Sequence, residues 1–144
     1  MFKSILLAYD GSDHAREALA VACDLTKKYD AKLRIVHTPQ AVADTLIVGY
    51  TAVPVPPTKE ELEKAGREVI GAAESGAREH GVASFTSDLV SGDPAHAIVD
   101  QAKAVDADLI VMGRRGLGSL RGLLVGSTTT KVCQLAPCAV LTVK

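Results

Sequence analysis

The chain has 144 residues, 47% of them apolar and 23% charged, which is about one domain's worth of sequence with enough apolar content for a core. A net charge of -1 excludes a strong field that would draw the chain to nucleic acid or to an anionic membrane. With two Phe, three Tyr and no Trp, the core has to be built from Val, Leu, Ile and Ala, as suits a parallel sheet covered on both faces.

The N-terminal run Met1-Phe2-Lys3-Ser4-Ile5-Leu6-Leu7-Ala8-Tyr9 is too short for a signal peptide and is interrupted by Asp10-Gly11-Ser12-Asp13. No stretch approaches the ~20 apolar residues of a membrane span. Cys23, Cys133 and Cys138 are an odd number without Cys-x-x-Cys spacing, which fits reduced thiols in a cytoplasmic protein. Cys133 and Cys138 are expected to be buried as small apolar groups.

In chain order, Ser4 to Tyr9 reads as a buried strand. Ser12 or Asp13 caps a helix with Ala15, Ala18, Leu19, Ala22 and Leu25 on one face. Leu33 to His37 is a second strand. Thr38 to Pro57 reads as a long irregular stretch, carrying Pro39, Pro54, Pro56 and Pro57. Thr58 and Glu61 have capping-box spacing before a helix that presents Leu62, Ala65, Val69, Ala72 and Gly76, with Gly81 to end it. Phe85 to Val90 alternates as an edge strand does. Asp93-Pro94 starts a third helix with Ala95, Ile98, Val99, Ala102 and Val105 as its stripe. Leu109 to Met112 is a wholly apolar strand. Ser127 to Leu135 reads as the last helix, Pro137 stops it, and Ala139 to Val143 is the final strand.

This is a single α/β domain over residues 1–144, with no repeat and no low-complexity segment. Strands alternating with helices imply a doubly wound, five-stranded parallel sheet with helices on both faces. The first and fourth strands are the most continuously apolar, so the expected order is 3-2-1-4-5. The chain reverses direction between those two strands, and their carboxyl ends are the expected ligand crevice.

The stretch after the fourth strand is glycine-rich: Gly113, Gly116, Gly118, Gly122 and Gly126. Exposed amides in such a stretch form an anion nest, and Gly126-Ser127 opens a helix whose first amides are unpaired. Ser127, Thr128 and Thr129 add hydroxyls, and Arg114 and Arg115 add positive charge. The chemistry points to phosphate; the alternative is a surface loop whose glycines only make turns. A P-loop is excluded because Ser119 stands where its lysine belongs. A dinucleotide fingerprint is excluded because Arg121 stands where its third glycine belongs, one place before Gly122.

Gly113, Gly116, Gly126 and Ser127 do fill the pattern glycine, two residues, glycine, nine residues, glycine, Ser or Thr. The pattern resembles that of ATP-binding universal stress proteins. Lys3 to Ser12, Ser91-Gly92-Asp93-Pro94 and Ala136 to Leu141 resemble that family's first strand and turn, its turn after the third strand, and its closing strand. The resemblance covers the whole chain and implies an adenine nucleotide alpha hydrolase-like fold. It implies that Tyr9, Asp10 and Gly11 meet the adenosine, that Val36 or His37 borders the adenine, and that Met112 and Gly113 lie near the ribose. Gly116, Gly126, Ser127, Thr128 and Thr129 would hold the phosphates, with Arg115 beside them and Mg²⁺ accompanying the ATP. Thr128 stands where the family more often has an aliphatic residue, and Thr130 where it often has an acidic one.

From the residues alone, Asp10 is either a turn cap or a nucleotide contact, and His37 either a satisfied half-buried side chain or part of the site. His14, His80 and His96 lack zinc-ligand spacing, and no metal ligand is assigned in the chain. Ala139 to Val143 would leave an apolar sheet edge, an aggregation hazard unless a second copy pairs with it. The resemblance implies the same homodimer. A regulatory, nucleotide-dependent stress-response protein is therefore expected, with a protein partner of unknown identity. The alternatives are a slow ATPase and a nucleotide-free interaction module. No catalytic residue is assigned, because no P-loop lysine or base suited to a γ-phosphate is evident.

Overall fold

The computed structural model describes residues 1–118 and 124–144. Its elements run β1 (Ser4–Ala8), α1 (Asp13–Tyr29), β2 (Lys32–His37), β3 (Asp44–Val48), β4 (Thr51–Val55), α2 (Lys59–Glu79), β5 (Thr86–Leu89), α3 (Pro94–Ala104), β6 (Leu109–Gly113), α4 (Ser127–Leu135) and β7 (Ala139–Val143). Five strands form a sheet in the order β5-β2-β1-β6-β7, and every pairing in it is parallel. With β3 and β4 set aside, this is the expected 3-2-1-4-5.

The strand residues alternate between two cores, as a sheet covered on both faces requires. Ile5 and Leu7 of β1 point to one side, where Ala18, Leu19 and Ala22 of α1 and Ile70, Ala73 and Ala77 of α2 cover them. Leu6 and Ala8 point to the other, toward Ile98 and Ala102 of α3 and Val132 of α4. The register places Ala8 between Val36 of β2 and Met112 of β6, so three strands end side by side.

Local capping fixes where the helices start. Ser12 Oγ accepts the Ala15 N–H at 3.2 Å. Thr58 and Glu61 form the reciprocal capping box, with the Thr58 N–H donating to Glu61 Oε2 at 2.8 Å and the Glu61 N–H donating to Thr58 Oγ1 at 3.2 Å. Those bonds hold the Glu61 carboxyl below the usual carboxylate range, the Thr58 main chain contributing most. Asp93 caps α3 through the His96 N–H at 3.2 Å, with Pro94 at the first helical position.

Three expectations are corrected. Residues 38–57 are not irregular throughout: β3 and β4 pair as an antiparallel hairpin, Val48 opposite Thr51. Gly49 sits at φ +66, which a two-residue hairpin turn with glycine first requires. The prolines misled because Pro54 opposes Thr45 inside the ribbon, a place open to proline in a strand that forms no sheet interior. The buried stripe of α2 is Gly66, Ile70, Ala73 and Ala77, not Leu62, Ala65, Val69, Ala72 and Gly76; of these Leu62, Val69 and Gly76 are half-buried beside it, and Ala65 and Ala72 are exposed. The helix packs by its smallest residues: a Cβ on Gly66 would come 2.7 Å from Pro39 and 3.2 Å from Leu89. Finally, Cys133 is exposed on α4 and Cys138 is only half-buried, whereas Cys23 is in the core. Among the described residues, no helix is long and apolar enough to cross a membrane.

Candidate functional site

The site begins where β1, β2 and β6 end together. The Tyr9 N–H donates to the Val36 carbonyl at 2.9 Å, holding the exit of β1 against β2. The side chains of Tyr9, Val36 and Met112 are buried in the two cores at 4%, 2% and 5% exposure. His37, also buried, places Nδ1 2.8 Å from the Tyr9 carbonyl. A carbonyl only accepts, so Nδ1 carries the proton. Burial lowers the pKa of His37 from the ordinary 6.5, against the opposing pull of the Tyr9 carbonyl and the Asp10 charge. The ring is therefore held neutral, with Nε2 free of a proton.

Asp10 follows at the turn. Its Oδ1 accepts the Ser12 N–H at 3.0 Å and its Oδ2 accepts the Leu117 N–H at 3.2 Å. Ser12 Oγ also donates to the Arg115 carbonyl at 3.5 Å. The turn after β1 and the segment after β6 are thus tied together. On its far side that segment is bound to the sheet edge, the Arg114 N–H donating to the Val143 carbonyl at 2.6 Å. The Gly126 N–H donates to the Arg114 carbonyl at 2.9 Å, and Thr129 Oγ1 donates to the Gly113 carbonyl at 3.0 Å. Tyr9, Asp10, Gly11, Val36, His37, Met112, Gly113, Arg115, Gly116, Gly126, Ser127, Thr128 and Thr129 all lie at this one end of the sheet. Residues 119–123, with Gly122 of the glycine-rich stretch, lie outside the described residues.

The anion-binding groups are fewer than the sequence suggests. The Leu117 and Gly126 amides already have acceptors, and the Thr129 hydroxyl is spent on Gly113. Gly126 has no side chain to cap α4, so among the described residues no side chain caps the amides opening that helix, beside the hydroxyls of Ser127 and Thr128. They carry the positive end of the helix dipole, the usual place for a phosphate.

The glycines divide in the same way. A Cβ on Gly113 would come 2.9 Å from His14 Cβ and 3.0–3.1 Å from the main chain of His14 and Ala15, so α1 packs directly on this residue. Gly126, at φ -72 and ψ 155, has a conformation open to any residue, and a Cβ there would meet nothing closer than 3.5 Å. Packing therefore requires glycine at 113 and not at 126.

An open cleft of about 420 Å³ lies beside these ties, lined by residues that include Gly11, Ser12, His14, Arg16, Arg115 and Leu117. Arg16 donates to the Gly11 carbonyl at 2.8 Å and to Asp13 at 2.9 Å, and His14 Nδ1 is buried with no partner among the described residues. Sequence reasoning missed His14, Arg16 and the Leu117 amide. Their signal was slight: one turn of α1 whose Asp13 and Arg16 have ion-pair spacing.

The model of the universal stress protein family matches residues 1–144. The chain belongs to the universal stress protein family. It is 42% identical over 144 residues to "Universal stress protein in QAH/OAS sulfhydrylase 3'region" of Thermus aquaticus, with 100% of both chains covered. Among solved structures, this universal stress protein is similar to one in complex with cAMP, at 29% identity and a TM-score of 0.73, covering 99% of this chain and 97% of the other. It is likewise similar to the Archaeoglobus fulgidus universal stress protein in complex with dAMP, at 26% identity and a TM-score of 0.70, covering 100% and 98%.

Proposed function

We propose that this universal stress protein binds ATP with Mg²⁺ where β1, β2 and β6 end, and acts as a homodimeric, nucleotide-dependent regulatory protein of the cytoplasm. The observation that carries the reading is the start of α4, which has no side-chain cap among the described residues and opens with Ser127 and Thr128 beside Arg115 and Gly116, tied by Thr129 to Gly113 at the end of β6. The two relatives in complex with cAMP and dAMP support an adenine nucleotide as the ligand. The donor set fits a polyphosphate: main-chain amides, hydroxyls and the Arg115 cation suit an anion. Among the described residues no group of three His, Cys, Asp or Glu could hold a metal. Mg²⁺ would therefore be carried by phosphate oxygens and water, its usual ligands, and would neutralise phosphate charge. Both Asp10 oxygens are engaged with amides, so this carboxylate is not poised as a general base. Binding rather than fast hydrolysis follows.

Calorimetry with ATP·Mg²⁺ tests the site. Gly126→Val suits the local φ and ψ and lays two methyl groups beside the helix start. Affinity should fall at least about tenfold, or ~1.4 kcal/mol, with little change in Tm. No heat from the unaltered protein at millimolar ATP would end the reading. For the dimer, β7 is an edge strand with Leu141 exposed, the place where a second copy would pair. Leu141→Lys should give monomers on a sizing column; an unchanged dimer refutes this interface.

A further inference from the structure

Leu117 contributes one of the amides that an anion-binding loop would use, and in this chain the anion on that amide is the protein's own. Asp10 Oδ2 accepts the Leu117 N–H at 3.2 Å while Oδ1 accepts the Ser12 N–H at 3.0 Å. The carboxylate lies directly on Gly116, where a Cβ would run into Oδ2. The Leu117 side chain is 74% exposed, so its own packing does not hold the segment in place. From the other side, the Gly126 N–H grips the Arg114 carbonyl at 2.9 Å, one step before α4 begins.

We propose that Asp10 is a positioning residue for phosphate binding: its carboxylate locks residues 115–117 onto the turn after β1 and so, through Arg114 and Gly126, sets the start of α4 beside the strand ends. This rests on the phosphate-binding reading above and adds a division of labour to it. Asp10 acts through the segment rather than on the nucleoside. The segment is ordered before ligand arrives, so binding does not bear that ordering cost.

The test compares amide exchange in the nucleotide-free protein with affinities for ATP·Mg²⁺ and for adenosine, in unaltered protein, Asp10→Ala and Asp10→Asn. Asparagine keeps one of the two acceptors and guards against a fold defect in the alanine variant. Losing a charged acceptor should speed exchange at Leu117 about tenfold or more in Asp10→Ala, and less in Asp10→Asn. ATP affinity should fall about tenfold and adenosine affinity less than about twofold. Unchanged exchange at Leu117 overturns the proposal. So does an equal loss for adenosine and ATP, which would place the carboxylate on the nucleoside itself. Faster exchange with unchanged ATP affinity overturns the positioning role alone, whereas an unaltered protein that binds neither ligand overturns the nucleotide reading as well.

Discussion

The β3-β4 hairpin and the segment after β6 are both excursions of the chain away from the central sheet, yet they are held in opposite ways. The hairpin is bonded within itself. Among the described residues, no hydrogen bond or ion pair ties residues 44–55 to the rest of the chain, and all ten strand residues are exposed, Ile47 at 78%. Residues 114–118, which follow β6, form neither helix nor strand and are held by Asp10, Ser12, Val143 and Gly126. Regular secondary structure is therefore a poor guide to rigidity here. The hairpin can open without disturbing the core, because few of its contacts are shared. The segment cannot move without releasing three other elements.

The largest test of that contrast pits Gly113→Val against Ile47→Ser. At Gly113 the obstructing atoms are the His14 Cβ and the main chain of His14 and Ala15, all fixed by α1. Urea titration should show a loss of about 1–3 kcal/mol, and more if α1 is displaced. Ile47→Ser should cost less than about 0.5 kcal/mol, as an exposed site does. Equal losses would mean that the hairpin is packed against something in solution.

A smaller effect follows from His37, which secures the strand ends beneath the segment. Its folded pKa is lowered from 6.5. As pH falls, the unfolded chain takes up the proton first, so the stability contributed by the neutral ring is present above about 6.5 and is lost below it, until the folded pKa is reached. His37→Gln should flatten the fall in stability between about pH 7 and pH 5. A variant with the same slope as the unaltered protein would show that the ring is not held neutral.

The smallest effect is on thiol chemistry. Burial pushes Cys23 up to about 11, and burial with the Asp108 charge raises Cys138. Cys133 is exposed. Maleimide should label Cys133 first, Cys138 slowly and Cys23 only on unfolding. Early labelling of Cys23 would mean that the core opens as readily as the periphery.

Much of the fold is legible in the sequence, because each strand and helix announces itself locally. The caps at Thr58 and Asp93 follow from neighbours within three residues and the closing strand from its apolar run after Pro137, while the choice of Ser12 over Asp13 as the first cap is made only in the fold. The α2 stripe is misread by one residue: Ala65, Val69, Ala72 and Gly76 repeat at the same spacing as Gly66, Ile70, Ala73 and Ala77, so periodicity alone does not choose between the two rows and only the packing in the folded chain does. The position of the candidate site is legible for a topological reason: the switch between β1 and β6 follows from strand order. Which amides remain for a ligand is not legible. Asp10 and Leu117 are 107 positions apart, and only the folded chain brings them together. The separate roles of Gly113 and Gly126 are hidden likewise, since both are glycine in the motif and only one is fixed by packing.

Pro54 carries a last consequence. Counting outward from the turn, Val48 and Thr51 close the ribbon as a bonded pair, so Pro54, three positions beyond Thr51, falls at a pair whose nitrogens face outward. Its ring stands where an incoming strand would lie, and it has no N–H to offer one. A protruding ribbon bearing Leu46, Ile47, Val48 and Val53 would otherwise be a template on which copies of the chain could stack into fibres. Proline at this position lets the ribbon stay apolar while blocking growth from its β4 side.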